Sequence, residues 1–142
     1  MNIEHLYRAV IMDHYKSPKN KGLLPDPDAM TVHLTNPSCG DEMTVQISLA
    51  DGKVKEVRHQ GSGCSICCAS ASIMSETLKG KKVDDALQTI DAFYTMVKGM
   101  PYDQSVLEGD AIAFQGVSRF PARIKCATLA WKAAELGITK HT

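Results

Sequence analysis

The dipeptide Asp51-Gly52 is the strongest single folding instruction in the chain. Asp-Gly between β-patterned runs marks a two-residue hairpin, because both residues tolerate the positive φ that such a turn demands. Before it, Met43, Val45, Ile47 and Leu49 alternate with Thr44, Gln46 and Ser48, the period of a half-buried strand. Lys53 to Gln60 is expected to return antiparallel, although its own alternation is poor. Thr31 to Thr35 is a further short β-prone run. The stretch Asn36-Pro37-Ser38-Cys39-Gly40-Asp41 that follows it is dense in turn formers. The expectation is a three-stranded antiparallel meander.

Helical patterns flank the meander. Ile3, Leu6, Tyr7, Val10, Ile11, His14 and Tyr15 recur at helical spacing and predict an amphipathic helix from about Asn2 to Lys16. Ser17-Pro18 ends it, since the residue before proline avoids the helical region. Gly22, Pro25 and Pro27 make Lys19 to Ala29 a loop. Gly61-Ser62-Gly63 breaks the third strand, and a helix of small residues is expected from about Cys64 to Leu78, stopped by Gly80. Val83 to Lys98 carries the stripe Val83, Ala86, Leu87, Ile90, Phe93, Tyr94 and Val97, with Asp84 and Asp85 in the first turn, where the helix dipole favours them. Gly99 to Gly116 reads as irregular, with room for one short helix. A last helix is expected from about Pro121 to Leu136, capped by Gly137. One helix, a meander and then helices is an α+β order, with the helices packed on one face of the three-stranded antiparallel sheet. With 142 residues, 44% of them hydrophobic, residues 1–142 are expected to form one domain that buries roughly 70% of its unfolded surface.

Charge narrows the function. Lys plus Arg number 16 and Asp plus Glu number 16. That balance argues against binding nucleic acid through a basic face and against electrostatic attachment to an anionic membrane. Apolar runs are a few residues long, against the ~18 that a membrane span needs. Ala9 to Met12 is too short for the core of a signal peptide, so a cytoplasmic location is expected.

Five cysteines remain: Cys39, Cys64, Cys67, Cys68 and Cys126. An odd number in a reducing compartment favours metal or thiol chemistry over a disulfide framework. Cys39 falls in the loop before a strand, Cys64 at a helix start, and Cys126 in the first turns of the last helix. Helix N-termini favour thiolate over thiol, so Cys64 and Cys126 are expected to ionise readily. A Cys39-Gly40-Asp41 turn can present both side chains to one point, because glycine permits the required backbone angles. On spacing alone these residues are either a shared metal site or free cysteines acting as small buried hydrophobes. Cys64-Ser65-Ile66-Cys67 also has the form of a redox disulfide motif, but Cys67 and Cys68 sit among small and apolar residues and are expected to be packing residues, the alternative being spare thiols near the site that relay sulfur. His33 and His59 on strands, and His14 on the first helix, are expected to be structural; His5 and His141 carry no signal. Trp131 is expected to fill core.

The motifs Asn36-Pro-Ser-Cys-Gly-Asp41, Gly61-Ser-Gly-Cys-Ser-Ile66 with Ala69-Ser-Ala-Ser72, Asp13-His-Tyr-Lys-Ser-Pro-Lys-Asn-Lys-Gly22 and Cys126 after a proline-containing turn resemble the iron–sulfur cluster assembly proteins of the IscU type, the NifU N-terminal-like family. The resemblance runs from Leu6 to about Leu136. It implies an IscU/SufU-like α+β fold in which metal ligands Cys39, Asp41, Cys64 and Cys126 converge at one end of the molecule. Lys125 stands where the IscU branch has a histidine, and Phe120-Pro-Ala-Arg-Ile-Lys-Cys126 lacks that branch's Leu-Pro-Pro-Val-Lys chaperone-recognition motif. Arg123, Lys125 and a longer interval between Cys64 and Cys126, with the extra residues expected within Gly99 to Arg119, look like the SufU branch. That likeness implies a bound zinc ion (Zn2+), a SufS-type cysteine desulfurase as sulfur donor, and downstream cluster-assembly or apo-acceptor proteins as receivers. Cys39 is the expected nucleophile, being on a glycine-flanked loop, and a side chain of the partner, such as a histidine, is expected to take its place at the metal. The alternative within the resemblance is a scaffold on which a transient [2Fe-2S] cluster is built, since thiolates bind both zinc and clusters. Three thiolates and a carboxylate bring four negative charges and zinc two positive, leaving about −2. Arg123 and Lys125 are placed to offset that charge or, failing that, are solvated surface residues.

Overall fold

In the computed structural model, Asp51 and Gly52 both take positive φ, 54° and 74°, the backbone of a tight hairpin turn. The structure describes residues 3–107 and 109–141, with side chains from 8 to 107 and 109 to 140; the expected stripe positions Ile3, Leu6 and Tyr7, and His5 and His141, lie outside the described side chains. The elements are α1 (Ile3–Lys16), β1 (Met30–Asn36), β2 (Asp41–Ala50), β3 (Lys53–Ser62), α2 (Ser65–Leu78), α3 (Val83–Val97), a 3-10 helical segment (Gly109–Arg119) and α4 (Pro121–His141). The sheet has the order β1-β2-β3, antiparallel throughout, and α4 packs on β1 and β2 while α2 packs on β3. The expected α+β architecture is present.

The register explains the weak patterning of β3. Ser48 pairs with Glu56 and Leu49 with Val54, so Lys55 is an extra residue. A bulge of this kind shifts the side-chain alternation by one, and Val54 and Val57, three apart, are both fully buried. The polar side of β2 is also covered. Leu24 N–H donates to Gln46 Oε1 at 2.9 Å, and Ser48 Oγ donates to Asp26 Oδ2 at 2.6 Å. The loop after α1 thus lies over that face, and Gln46 and Ser48 are buried with their polar atoms paired.

Val32, Met43, Val45, Ile47, Val54 and Val57 are the sheet's contribution to the core, which they share with Ile73, Met74, Phe93, Ala130, Trp131 and Ala134 of the helices. Trp131 fills core as expected. It stacks on Phe93 at a centroid distance of 4.0 Å, and its Nε1–H donates to Ser70 Oγ at 2.9 Å. Ile11 and His14 of α1 are buried, while Tyr15 is exposed, not part of the apolar stripe. Gly80 stops α2 with φ 89°.

One expectation is corrected. Gly137 does not cap α4, which continues to His141. Val32 and Ile47 pass within 3.7–3.8 Å of where a Gly137 Cβ would lie, and Ile138 is fully buried. Packing of the last turns on the sheet overrides the local stop signal, as tertiary contacts commonly do. The short helix allowed for in the irregular stretch is the eleven-residue 3-10 segment Gly109–Arg119, which runs past Gly116 and whose buried Ala111, Phe114 and Val117 join the core.

Candidate metal centre

The sheet's pleat places the first two polar groups of the site. Asn36 and Asp41 are directly paired across β1 and β2, and Asp41 shares its face with Met43, Val45 and Ile47, two residues apart along the strand. Both side chains therefore point toward the helices, at the end of the sheet where Cys64 caps α2. Asn36 and Asp41 are 5% and 1% exposed. Between them, Asn36 C=O accepts the N–H groups of Cys39 and Gly40 at 3.2 and 2.9 Å. Gly40 has φ 71°, the left-handed turn that sends Cys39 and Asp41 back toward one point.

Across this turn Cys39 Sγ lies 3.1 Å from Cys126 Sγ and donates to Asp41 Oδ2 at 3.0 Å. These three ligand atoms lie within 4.8 Å of one another. Cys64 stands beside them: its Sγ is 3.9 Å from Asp41 Oδ2 and its backbone N–H donates to Asp41 Oδ1 at 3.0 Å. The expected four residues are thus brought to one end of the molecule, three in a tight group and Cys64 adjoining it. Tetrahedral zinc, with bonds of ~2.0–2.3 Å, sets its ligand atoms ~3.3–3.8 Å apart; the donor types and the spacing of Cys39, Asp41 and Cys126 suit such an ion, and Cys64, outside that group, would have to turn inward to complete the tetrahedron.

Exposure differs sharply within the group. Cys39 is exposed and Cys64 half-buried, whereas Cys126 is buried. The expectation that Cys126 ionises readily because it lies early in α4 is corrected: burial pushes its thiol well above the usual range, and the adjacent Asp41 carboxylate adds to the shift. Burial outweighs the helix dipole there. Burial also opposes the charge on Asp41, but hydrogen bonds from the Cys39 and Cys126 thiols and the Cys64 N–H, with the nearby Arg123, hold its carboxyl below the usual value. The Arg123 guanidinium is raised by its attraction to Cys64 and by its hydrogen bond to Cys126. Lys125 is exposed.

Two participants are not apparent from the sequence pattern. Asn36 reads as a turn former, yet its Nδ2 donates to Cys39 Sγ at 2.9 Å and reaches within 4.0 Å of Cys126 Sγ. Its position directly opposite Asp41 in a hairpin is the signal that identifies it. Gly63 reads as a strand breaker, but a Cβ there would run into Asp41 Oδ1 and lie 2.9 Å from Asp41 Cγ. Cys67 is fully buried, with its thiol pushed up by burial, and Cys68 is half-buried with a sulfur contact to Gly63 C=O at 3.8 Å. His59 is buried and bonded to Lys19 C=O, and His33 to Thr44 Oγ1.

The same arrangement of sequence and fold recurs in known proteins. The model of the NifU-like N terminal domain matches residues 6–141. The zinc-dependent sulfurtransferase SufU of Bacillus subtilis is 50% identical over 140 residues, covering 99% of this chain and 94% of that protein. The iron–sulfur cluster assembly scaffold protein IscU of Streptococcus pyogenes is 38% identical over 138 residues, 97% of this chain and 86% of that one. Among solved structures, an iron–sulfur cluster assembly scaffold protein for the SUF system from Fervidobacterium islandicum superposes with a TM-score of 0.79 at 33% identity, covering 91% of this chain and 93% of its own. Matched from α1 through α4, with the meander and the turn between β1 and β2 included, this chain belongs to the NifU-like N-terminal domain family.

Proposed function

We propose that this protein takes part in iron–sulfur cluster assembly as an acceptor of persulfide sulfur from a SufS-type cysteine desulfurase. Cys39 receives the sulfur, and downstream cluster-assembly or apo-acceptor proteins take it on. In this reading zinc is held by Cys39, Asp41, Cys64 and Cys126, where it would keep the sulfurs as thiolates despite the burial of Cys126. The observation that carries the proposal is the unequal exposure of the group: Cys39 is open to a partner, while Cys126 and Asp41 are buried beneath it. The likeness to a protein named zinc-dependent sulfurtransferase supports the same reading.

The transfer balances without an oxidant. The Cys39 thiolate attacks the outer sulfur of the desulfurase persulfide. A new S–S bond forms at Cys39, the bond within the donor persulfide breaks, and the desulfurase cysteine leaves as a thiolate. Asp41 and Asn36 position the Cys39 sulfur, and Arg123 offsets the negative charge that gathers there. Mass spectrometry after incubation with desulfurase and cysteine tests the step. The wild type is expected to gain sulfur on the Cys39 peptide and Cys39→Ser none; accumulation on the variant equal to wild type would exclude Cys39.

The second reading is a scaffold for a [2Fe-2S] cluster. It is favoured by Cys64 lying beside the tight group, a spread that suits two metal ions, and by the similarity to a protein named IscU. A cluster that forms with iron and sulfide and passes intact to an apo-protein would establish it.

A further inference from the structure

Away from the cysteines, three elements converge on one histidine. His14 of α1 is 2% exposed, yet its Nε2 lies 2.7 Å from Asp110 Oδ2 of the 3-10 segment and 3.7 Å from Glu76 Oε1 of α2. The ring is fixed from behind: Nδ1 is 2.7 Å from Ser72 Oγ, and Ser72 Oγ accepts the Lys19 N–H at 2.8 Å. Asp110 follows Gly109, whose φ of 75° turns the chain at that point. The imidazole nitrogen and the two carboxylate oxygens lie within 4.8 Å of one another. Asp110 and Glu76 are 54% and 46% exposed, so the group is closed on its histidine side and open to water on its carboxylate side. Ser72 and Glu76 lie 8 and 12 residues along α2 from Cys64, roughly 12 and 18 Å at the rise of an α-helix. This cluster is separate from the cysteine group.

We propose that His14, Glu76 and Asp110 form a second binding site for a first-row divalent cation, of the kind that takes imidazole and carboxylate donors with water completing the shell. A buried imidazole whose other nitrogen is held by a hydroxyl is the arrangement that orients a histidine ligand. One imidazole with two carboxylates selects oxygen- and nitrogen-preferring cations such as Mn2+, as against the thiolate chemistry of the cysteine group. A bound ion would tie α1, α2 and the 3-10 segment together.

Mn2+ is the probe, because it disfavours the cysteine cluster. The zinc-loaded full chain is titrated with Mn2+ while electron paramagnetic resonance reads the free ion. The expected result is one Mn2+ per chain, with affinity falling about tenfold or more in Asp110→Asn and in Glu76→Gln. Mn2+ is also expected to raise the melting temperature of the wild type and not that of the variants. Glu76→Gln changes a half-exposed side chain on a helix surface, so the comparison survives any folding defect in Asp110→Asn. No binding by about 1 mM Mn2+, or binding that both variants retain at wild-type strength, overturns the proposal and leaves His14 as a structural staple. Neither outcome depends on whether Cys39 accepts sulfur.

Discussion

Asp41 Oδ1 accepts the backbone N–H of Cys64 at 3.0 Å, so a carboxylate on β2 closes the start of α2. Cys64 is the N-cap of that helix and makes no side-chain cap bond of its own. The N–H of the N-cap residue is one of the donors a helix start leaves free, and in a capping box the side chain three residues on accepts it; here the sheet supplies the acceptor. The other oxygen of the same carboxylate faces Cys39 and Cys64. One side chain therefore couples the start of α2 to the geometry of the cysteine group.

Asp41→Ala should separate these two duties. Loss of the contact at the helix start should cost about 1 kcal/mol. A three-cysteine site whose fourth position takes water is tolerated by zinc, so metal should be retained, though more weakly. Stimulation of desulfurase turnover should fall, because charge and position at Cys39 change. Zinc stoichiometry and desulfurase rate are the measurements; wild-type values in both would reduce Asp41 to a turn residue.

Gly63→Ala should act through Asp41 without touching a cysteine. The added methyl meets the carboxylate and forces it away from the Cys64 N–H. Zinc affinity should drop while the far-ultraviolet circular dichroism spectrum stays that of the wild type. A competition titration with a zinc chelator reads this directly, and an unchanged affinity would show that the loop yields instead.

Cys67→Ala and Cys68→Ala should leave zinc content and desulfurase stimulation near wild type. Cys67 is fully buried in the core, so its replacement is expected to cost about 1–2 kcal/mol in stability. Loss of stoichiometric zinc in either variant would move the ligand assignment along α2.

His59 gives a pH dependence whose sign is fixed. Burial, with the positive charges of Lys21 and Arg58, holds its imidazole below the usual 6.5 despite the bond to Lys19 C=O. The folded state thus keeps it neutral while the unfolded chain takes up a proton below 6.5. Its contribution to stability is present above that value and is lost as pH falls from 6.5 toward the folded-state pKa. Urea midpoints at pH about 7.5 and about 5 should differ more for the wild type than for His59→Gln. Equal differences in the two proteins would assign the acid sensitivity to other groups.

Local signals carried much of this molecule. Asp51-Gly52, the alternation from Met43 to Leu49 and the stop at Gly80 depend on backbone preferences within a few residues, and each was legible in the sequence. So were Cys39, Asp41, Cys64 and Cys126 as a set, because the motifs around them resemble a known family. What the sequence did not contain was distance. Cys39 and Cys126 are 87 residues apart in sequence, and only the packing of α4 on β1 and β2 brings their sulfurs together. The same packing buried Cys126 and raised its thiol where the helix position alone pointed the other way, and it carried α4 through Gly137. Asn36 and Gly63 became site residues for the same reason: a hydrogen bond to sulfur and a missing Cβ have meaning only against a neighbour, and the fold chooses the neighbour.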